Sequence, residues 1–350
     1  MSTSSIIKTV NRPADSWQRQ LSGARRSFSD LCTLLNLPAS SFDAISELDK
    51  QFPLIVPEPY LSRIIKGDQR DPLLLQVLPQ AEELVSTPGF SVDPLEEADA
   101  SPVAGLIHKY HGRVLLVASS TCAIHCRYCF RRHFPYQENR LQRNQHQQAL
   151  DYIKSKPDIH EVILSGGDPL TLSNAYLQWL VNAIKELPQI TTLRIHTRLP
   201  IVIPNRVDAE LLEILRPCTP RTVNSDHLNV VMVVHCNHPN EIDDDVEHAL
   251  LQLKDAGITL LNQSVLLKEI NDQADTLTTL SHRIFKAGVL PYYLHVLDAV
   301  QGAAHFDVPE SVGIHIIAEM TQKLPGYLVP RLVRENPGAT SKTTVTLITD

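Results

Sequence analysis

A chain of 350 residues can form one large domain with an appendage, or two domains. Its 43% apolar and 20% charged content is ordinary globular composition, and no apolar run approaches bilayer-spanning length. A net charge of −7, from 32 basic and 39 acidic residues, argues against a nucleic-acid binder, and the first residues lack a secretory layout, so a cytoplasmic enzyme is expected.

Residues 1 to about 100 read as helical and irregular. Trp17, Leu21, Ala24, Phe28, Leu31 and Leu35 recur at helical spacing, interrupted at Gly23. Pro88, Gly89, Pro94, Pro102 and Gly105 mark a connector, so 1–105 is expected as an N-terminal helical region and connector, and 106–350 as the main domain. From Arg113 onward, short β-rich runs alternate with longer amphipathic stretches. Strands are expected at 113–119, 161–165, 192–197, 229–235, 259–266 and 290–296. Helices are expected at 142–155, 174–187, 209–215, 242–256, 274–287 and 309–323, with Gly257 and Gly288 where C-terminal caps belong.

Strand–helix units in series imply a parallel α/β sheet wound right-handedly, open or closed into a barrel. No glycine-rich nucleotide-binding fingerprint follows the first strand. In a barrel, the C-terminal strand ends face the active site. The chemically notable residues fall there: the cysteine loop, then Gly166, Gly167 and Asp168, then His235 and Asp298, while Gln263 lies within the fifth strand.

Three of the six cysteines, Cys122, Cys126 and Cys129, form a C-x3-C-x2-C array, while Cys32, Cys218 and Cys236 fit no disulfide framework. Thiolates suit iron–sulfur clusters and zinc. Structural zinc wants four ligands, and only His125 or His133 is near enough in sequence to be the fourth. Three thiolates on a four-iron cube leave one iron without a protein ligand, open to the amino and carboxylate groups of S-adenosylmethionine. A basic segment (Arg127, Arg131, Arg132, His133, Arg140, Arg143) runs beside the array. S-G-G-D at 165–168 reads either as a glycine step admitting a ligand to the backbone or as an ordinary turn capped by Asp168.

The array, with an aromatic residue before its third cysteine, resembles the hallmark of radical S-adenosylmethionine enzymes, which implies a partial (β/α)6 TIM-like barrel. At closer range, residues 60–350 resemble the lysine 2,3-aminomutase family. The resemblance rests on D-P-L-L-L-Q-V-L-P (71–79), H-K-Y-H-G-R-V-L (108–115), C-R-Y-C-F-R-R-H-F-P-Y (126–136), R-L-P-I-V-I-P (198–204) and N-H-P-N-E (237–241). L-N-Q-S-V-L-L (261–267), P-Y-Y-L-H-V-L-D (291–298), Q-G-A-A-H-F (301–306) and G-Y-L-V-P (326–330) add to it.

The resemblance implies a [4Fe–4S] cluster on Cys122, Cys126 and Cys129, with S-adenosylmethionine around Gly166, Gly167, Asp168, His235 and Gln263. It implies pyridoxal phosphate carried by Lys342, with Arg113 at its phosphate and Tyr110 flanking it. For the substrate it implies Arg131 on the α-carboxylate of L-lysine, and Asp298 and Glu335 on the far ammonium. Glu335 stands where the lysine mutases carry aspartate. The implied reaction converts L-α-lysine to (R)-β-lysine for the elongation factor P lysylation pathway, with a flavodoxin or ferredoxin as electron donor. The sequence ends eight residues after Lys342, where metabolic lysine mutases continue, which fits the elongation-factor branch. A catabolic lysine 2,3-aminomutase and a radical enzyme for another amino acid are the alternatives.

Overall fold

The computed structural model describes residues 16–38, 52–134, 143–217 and 228–346; Cys218, Arg140 and the first fifteen residues lie outside them. Among the described residues, nine strands form one sheet in chain order. They are β1 (Leu106–Tyr110), β2 (Arg113–Ser119), β3 (Glu161–Gly166), β4 (Thr192–Thr197) and β5 (Asn229–His235), followed by β6 (Thr259–Val265), β7 (Leu290–His295), β8 (Arg331–Arg334) and β9 (Thr343–Thr344). From β2 to β8 every neighbour is parallel, whereas β1 and β9 pair antiparallel at the two edges.

Helices Arg143–Lys154, Asn174–Lys185, Ala209–Leu215, Asp244–Asp255, Ala274–Lys286 and Glu310–Lys323 make the crossovers. The six expected strand–helix units are therefore present, and β8 follows them as a seventh parallel strand. The arrangement is a partial barrel.

Local chemistry explains the boundaries. Ser173, Asp208 and Asp243 cap three of these helices, their side chains accepting from Tyr176 N, Leu211 N and Val246 N at 3.3, 2.7 and 3.0 Å. Leu177, Leu180, Val181 and Ile184 line one face of Asn174–Lys185 and are fully buried, each contributing about 1.5–3 kcal/mol. At the N-terminus the interruption at Gly23 is real: Trp17–Ser22 stops there and Phe28–Leu35 restarts behind a Ser27 cap. Trp17, Leu31, Leu54, Tyr60 and Leu73 belong to the same apolar core as the barrel strands.

Strand alternation separates core from lumen. Along β4, Leu193 and Ile195 are buried under the helices, while Arg194 and His196 are half-buried and line an internal cavity. Gln263 of β6 and Tyr293 and His295 of β7 do the same. The lumen is thus a polar site rather than the packed apolar layers of a closed barrel. Among the described residues, no helix is long and apolar enough to cross a membrane.

Candidate active site

The cysteine loop follows β2 and is pinned from below. Arg127 lays a two-point fork on Glu83 (2.8 and 2.6 Å), Arg132 adds a third contact at 2.5 Å, and all three side chains are buried. Arg127 also donates to the Phe52 carbonyl at 2.7 Å, and Arg132 to those of Arg127 and Gly302 at 2.9 Å. Burial pushes the Glu83 carboxyl up, but the two guanidinium groups pull harder and hold it below the usual carboxylate range. Two of the six basic residues, Arg127 and Arg132, are therefore interior scaffold. Removing the shared partner would strand two buried cations. Glu83→Ala is expected to lose about 3–5 kcal/mol in chemical denaturation and to load less iron, whereas an unchanged midpoint would show that the triad does not hold the loop.

Cys122, Cys126 and Cys129 are half-buried and line one wall of the cavity. Burial and the neighbouring thiols push Cys122 well up and Cys129 to about 11, so three thiolates close together need a cationic partner to share. The zinc alternative fares poorly. His125 stacks on Phe52 with centroids 4.6 Å apart and bonds the Pro53 carbonyl at 2.7 Å, and His133 bonds the Gln301 carbonyl at 3.1 Å. Among the described residues, no three His, Cys, Asp or Glu side chains converge as ligands of one ion would. Thiolates that each bind a different iron of a cube have no need to converge.

Gly166 and Gly167 also line the cavity, but their lack of side chains has a packing cause. Gly166 adopts a φ of +116°, and a Cβ there would sit 2.5 Å from the Ser119 carbonyl oxygen; one on Gly167 would sit 2.4 Å from that of Thr121. The step lets the cysteine loop lie on β3. Asp168 ties β3 to the end of β4, accepting from Leu170 N (3.0 Å), Arg198 N (2.7 Å), Leu199 N (3.1 Å) and Thr197 Oγ1 (2.7 Å). The turn capped by Asp168 is present, and both glycines and Asp168 also line the cavity. His235 and Gln263 face each other across β5 and β6 on the cavity wall. Burial and the Arg198 charge lower His235 to about 3, so its imidazole is neutral, with Nε2 2.9 Å from the Tyr128 hydroxyl.

At the floor, β8 and β9 form a hairpin that brings Lys342 back onto Glu335 as an ion pair. Lys109 lies 3.9 Å from Glu335, and the Tyr110 hydroxyl donates to the same carboxylate. Burial raises Glu335, but Lys342 and these neighbours hold it below the usual carboxylate range. Asp298 is pushed up to about 7 by burial and by the Glu335 charge. Both acids expected to hold an ammonium thus share one pocket, and Glu335 already grips a cationic amine. Tyr110 and Arg113 are partners across the β1–β2 hairpin, the guanidinium 4.7 Å over the ring.

Arg131 lines the cavity, but its fork is occupied: Nε and Nη2 reach Glu97 at 2.7 Å each, and Nη1 reaches Ser165 Oγ at 3.2 Å. Glu97 sits in the proline-rich connector, where nothing in the sequence singled it out. Also unforeseen are His196 and His295, half-buried on the cavity with each buried Nε2 lacking a partner, and the cations Arg194 and Arg331, which line the same cavity.

Together these residues bound one continuous cavity of about 1530 Å³, larger than the usual few hundred to 1,000 Å³ of a single-ligand pocket. Its parts fit the implied cofactors. A soft thiol trio suits iron, a primary amine suits a carbonyl cofactor, and a cluster of cations with two unpartnered imidazole nitrogens suits a phosphate.

Comparison with known proteins agrees. Residues 116–280 match the radical SAM superfamily model. The chain is 47% identical over 343 residues to the L-lysine 2,3-aminomutase of Escherichia coli (strain K12), covering 97% of this chain and 98% of that protein. It is 46% identical over 334 residues to the Haemophilus influenzae L-lysine 2,3-aminomutase, covering 95% and 96%. Against the Clostridium subterminale L-lysine 2,3-aminomutase it is 35% identical, covering 94% of this chain and 77% of that one.

Proposed function

Because the chain belongs to the lysine 2,3-aminomutase family of radical S-adenosylmethionine enzymes, we propose that it moves the α-amino group of free L-lysine to C3. The product is (R)-β-lysine, made in the cytoplasm for the modification of elongation factor P, with electrons from a flavodoxin or ferredoxin. The observation that carries this reading is the single cavity with three thiols on one wall and an amine beside two carboxylates on its floor. The enzyme is an isomerase with a [4Fe–4S] cluster, S-adenosylmethionine and pyridoxal phosphate as cofactors. Bound together, these supply a transferable electron, a hydrogen-abstracting agent and an electron sink, which no side chain offers.

The protein's part is to hold and orient. Cys122, Cys126 and Cys129 are the cluster ligands, leaving one iron for S-adenosylmethionine against Gly166, Gly167, Asp168 and Gln263. His235, neutral, adds a hydrogen bond there without adding charge. Lys342 carries pyridoxal phosphate, Arg113 answers the phosphate, and Tyr110 flanks the ring. Asp298 and Glu335 take the substrate's far ammonium, an arrangement that selects lysine over an acidic amino acid. Engaging the Lys342 amine with the cofactor releases one of the contacts on Glu335, while Tyr110 and Lys109 keep it oriented. Arg131, braced by Glu97, faces the substrate α-carboxylate.

Anaerobic incubation with reductant, both small cofactors and L-lysine, followed by chiral chromatography, is expected to yield (R)-β-lysine; no β-lysine at full cofactor loading would reject the reading. Elongation factor P from cells lacking this enzyme should lose the mass of one β-lysyl group, and an unaltered mass would leave a catabolic mutase. Borohydride reduction with pyridoxal phosphate, followed by peptide mapping, should label Lys342. A label on Lys109, the other lysine beside Glu335, would move the site.

A further inference from the structure

Arg198 directly follows β4, and its guanidinium, to which no role has been given, lies in a buried network beside the cysteine loop. Its Nη1 lies 2.7 Å from the Cys126 sulfur and 2.8 Å from the Tyr128 hydroxyl. Its Nη2 reaches Gln76 Oε1 and Glu241 Oε2, both at 2.7 Å. The guanidinium stands 5.6 Å over the Tyr60 ring, and the backbone N–H of Arg198 donates to Asp168 at 2.7 Å. Glu241 is itself fixed, accepting from Gln76 Nε2, Asn237 N and His238 N at 3.2, 2.9 and 3.1 Å. The side chain is only 7% exposed. These contacts hold the guanidinium with Nη1 on the sulfur and Nη2 on a carboxylate.

We propose that Arg198 is a positioning residue that raises the reduction potential of the cluster by hydrogen-bonding the Cys126 sulfur. Reduction adds one electron, taken from a low-potential flavodoxin- or ferredoxin-class donor, and spreads negative charge onto the cluster sulfurs. A cationic donor on one sulfur stabilises the reduced state more than the oxidised one, and hydrogen bonds to sulfur are among the levers that set such potentials. The low dielectric of the buried network strengthens the effect. Glu241 opposes it only partly, because its charge sits on the far edge of the guanidinium and Coulomb energy falls with distance. Arg198 therefore makes the cluster easier to charge from its donor. The same effect tempers the driving force for passing that electron to the sulfonium.

The inference rests on the three cysteines being cluster ligands, and the wild-type protein tests that separately: without iron and sulfide on the reconstituted wild type, the cluster reading itself fails. With a loaded wild type, Arg198→Gln and Arg198→Lys are reconstituted, assayed for iron and sulfide, and titrated anaerobically while the reduced cluster is followed by paramagnetic resonance. The glutamine variant should load fully and titrate at a more negative potential. The expected shift is at least a tenfold change in the reduced-to-oxidised ratio at fixed potential, or about 59 mV for one electron. The lysine variant, which keeps the charge and loses the fork, should fall between. A fully loaded glutamine variant with the wild-type midpoint overturns the proposal. So does a lysine variant that fails to assemble a cluster, since the guanidinium would then be building the loop rather than tuning the iron.

Discussion

Cys126→Ala is expected to abolish both the visible absorption of the cluster and turnover with lysine, while the protein still folds. The side chain is half-buried on a cavity wall, so losing a sulfur there leaves little void. Under the proposed assignment, by contrast, the substitution leaves two thiols for a cube that needs three. Iron and sulfide per chain, with circular dichroism as the folding control, read the outcome. Wild-type iron content and activity in this variant would remove Cys126 from the ligand set.

Asp298→Asn should separate function from stability in opposite directions. In its proposed role, as one of two acids around the substrate ammonium, Asp298 must be ionised to act. Replacing one charge of a buried pair costs about 2–5 kcal/mol, a factor of about thirty to several thousand in kcat/KM for lysine. Cluster content should not change. The carboxyl lies at about 7 because burial and Glu335 disfavour its charge. An acid with a folded pKa above its unfolded value stabilises the fold in its protonated form. That contribution is present at low pH and fades as pH rises from about 4 to about 7. The ligand-free asparagine variant should therefore be more stable than wild type at pH 8, by at most about 4 kcal/mol. Below pH 7, wild-type kcat/KM should fall about tenfold per unit as protons compete at Asp298, and the variant should lose that dependence. Equal lysine use by the variant would take Asp298 out of the pocket.

How much was legible in the sequence follows from the range of each interaction. The six parallel strands and their helices were readable because period and caps are local: Ser173, Asp208 and Asp243 each act within three residues. β8 and β9 were not. Four residues and two residues carry no period, and they are strands only because β7 and β8 offer an edge. The β1–β2 hairpin left a usable signal in His111–Gly112 between two β-rich runs.

At the site, the cysteines and the lysine stand out by spacing and by resemblance. Glu83 and Glu97 do not, because they meet Arg127 and Arg131 from 44 and 34 residues away, out of irregular segments. His196 and Arg194 did have a signal: polar residues at alternate positions of an otherwise apolar strand point into a polar lumen. The pairing of Glu335 with Lys342 required β9, and so lay beyond reach.

The most direct test of the account follows hydrogen rather than product. With lysine carrying deuterium at C3, anaerobic turnover should pass deuterium into the 5′ carbon of S-adenosylmethionine as β-lysine accumulates, and Cys126→Ala should pass none. β-Lysine formed without any deuterium reaching the sulfonium cofactor would contradict a reaction that begins at the three thiols.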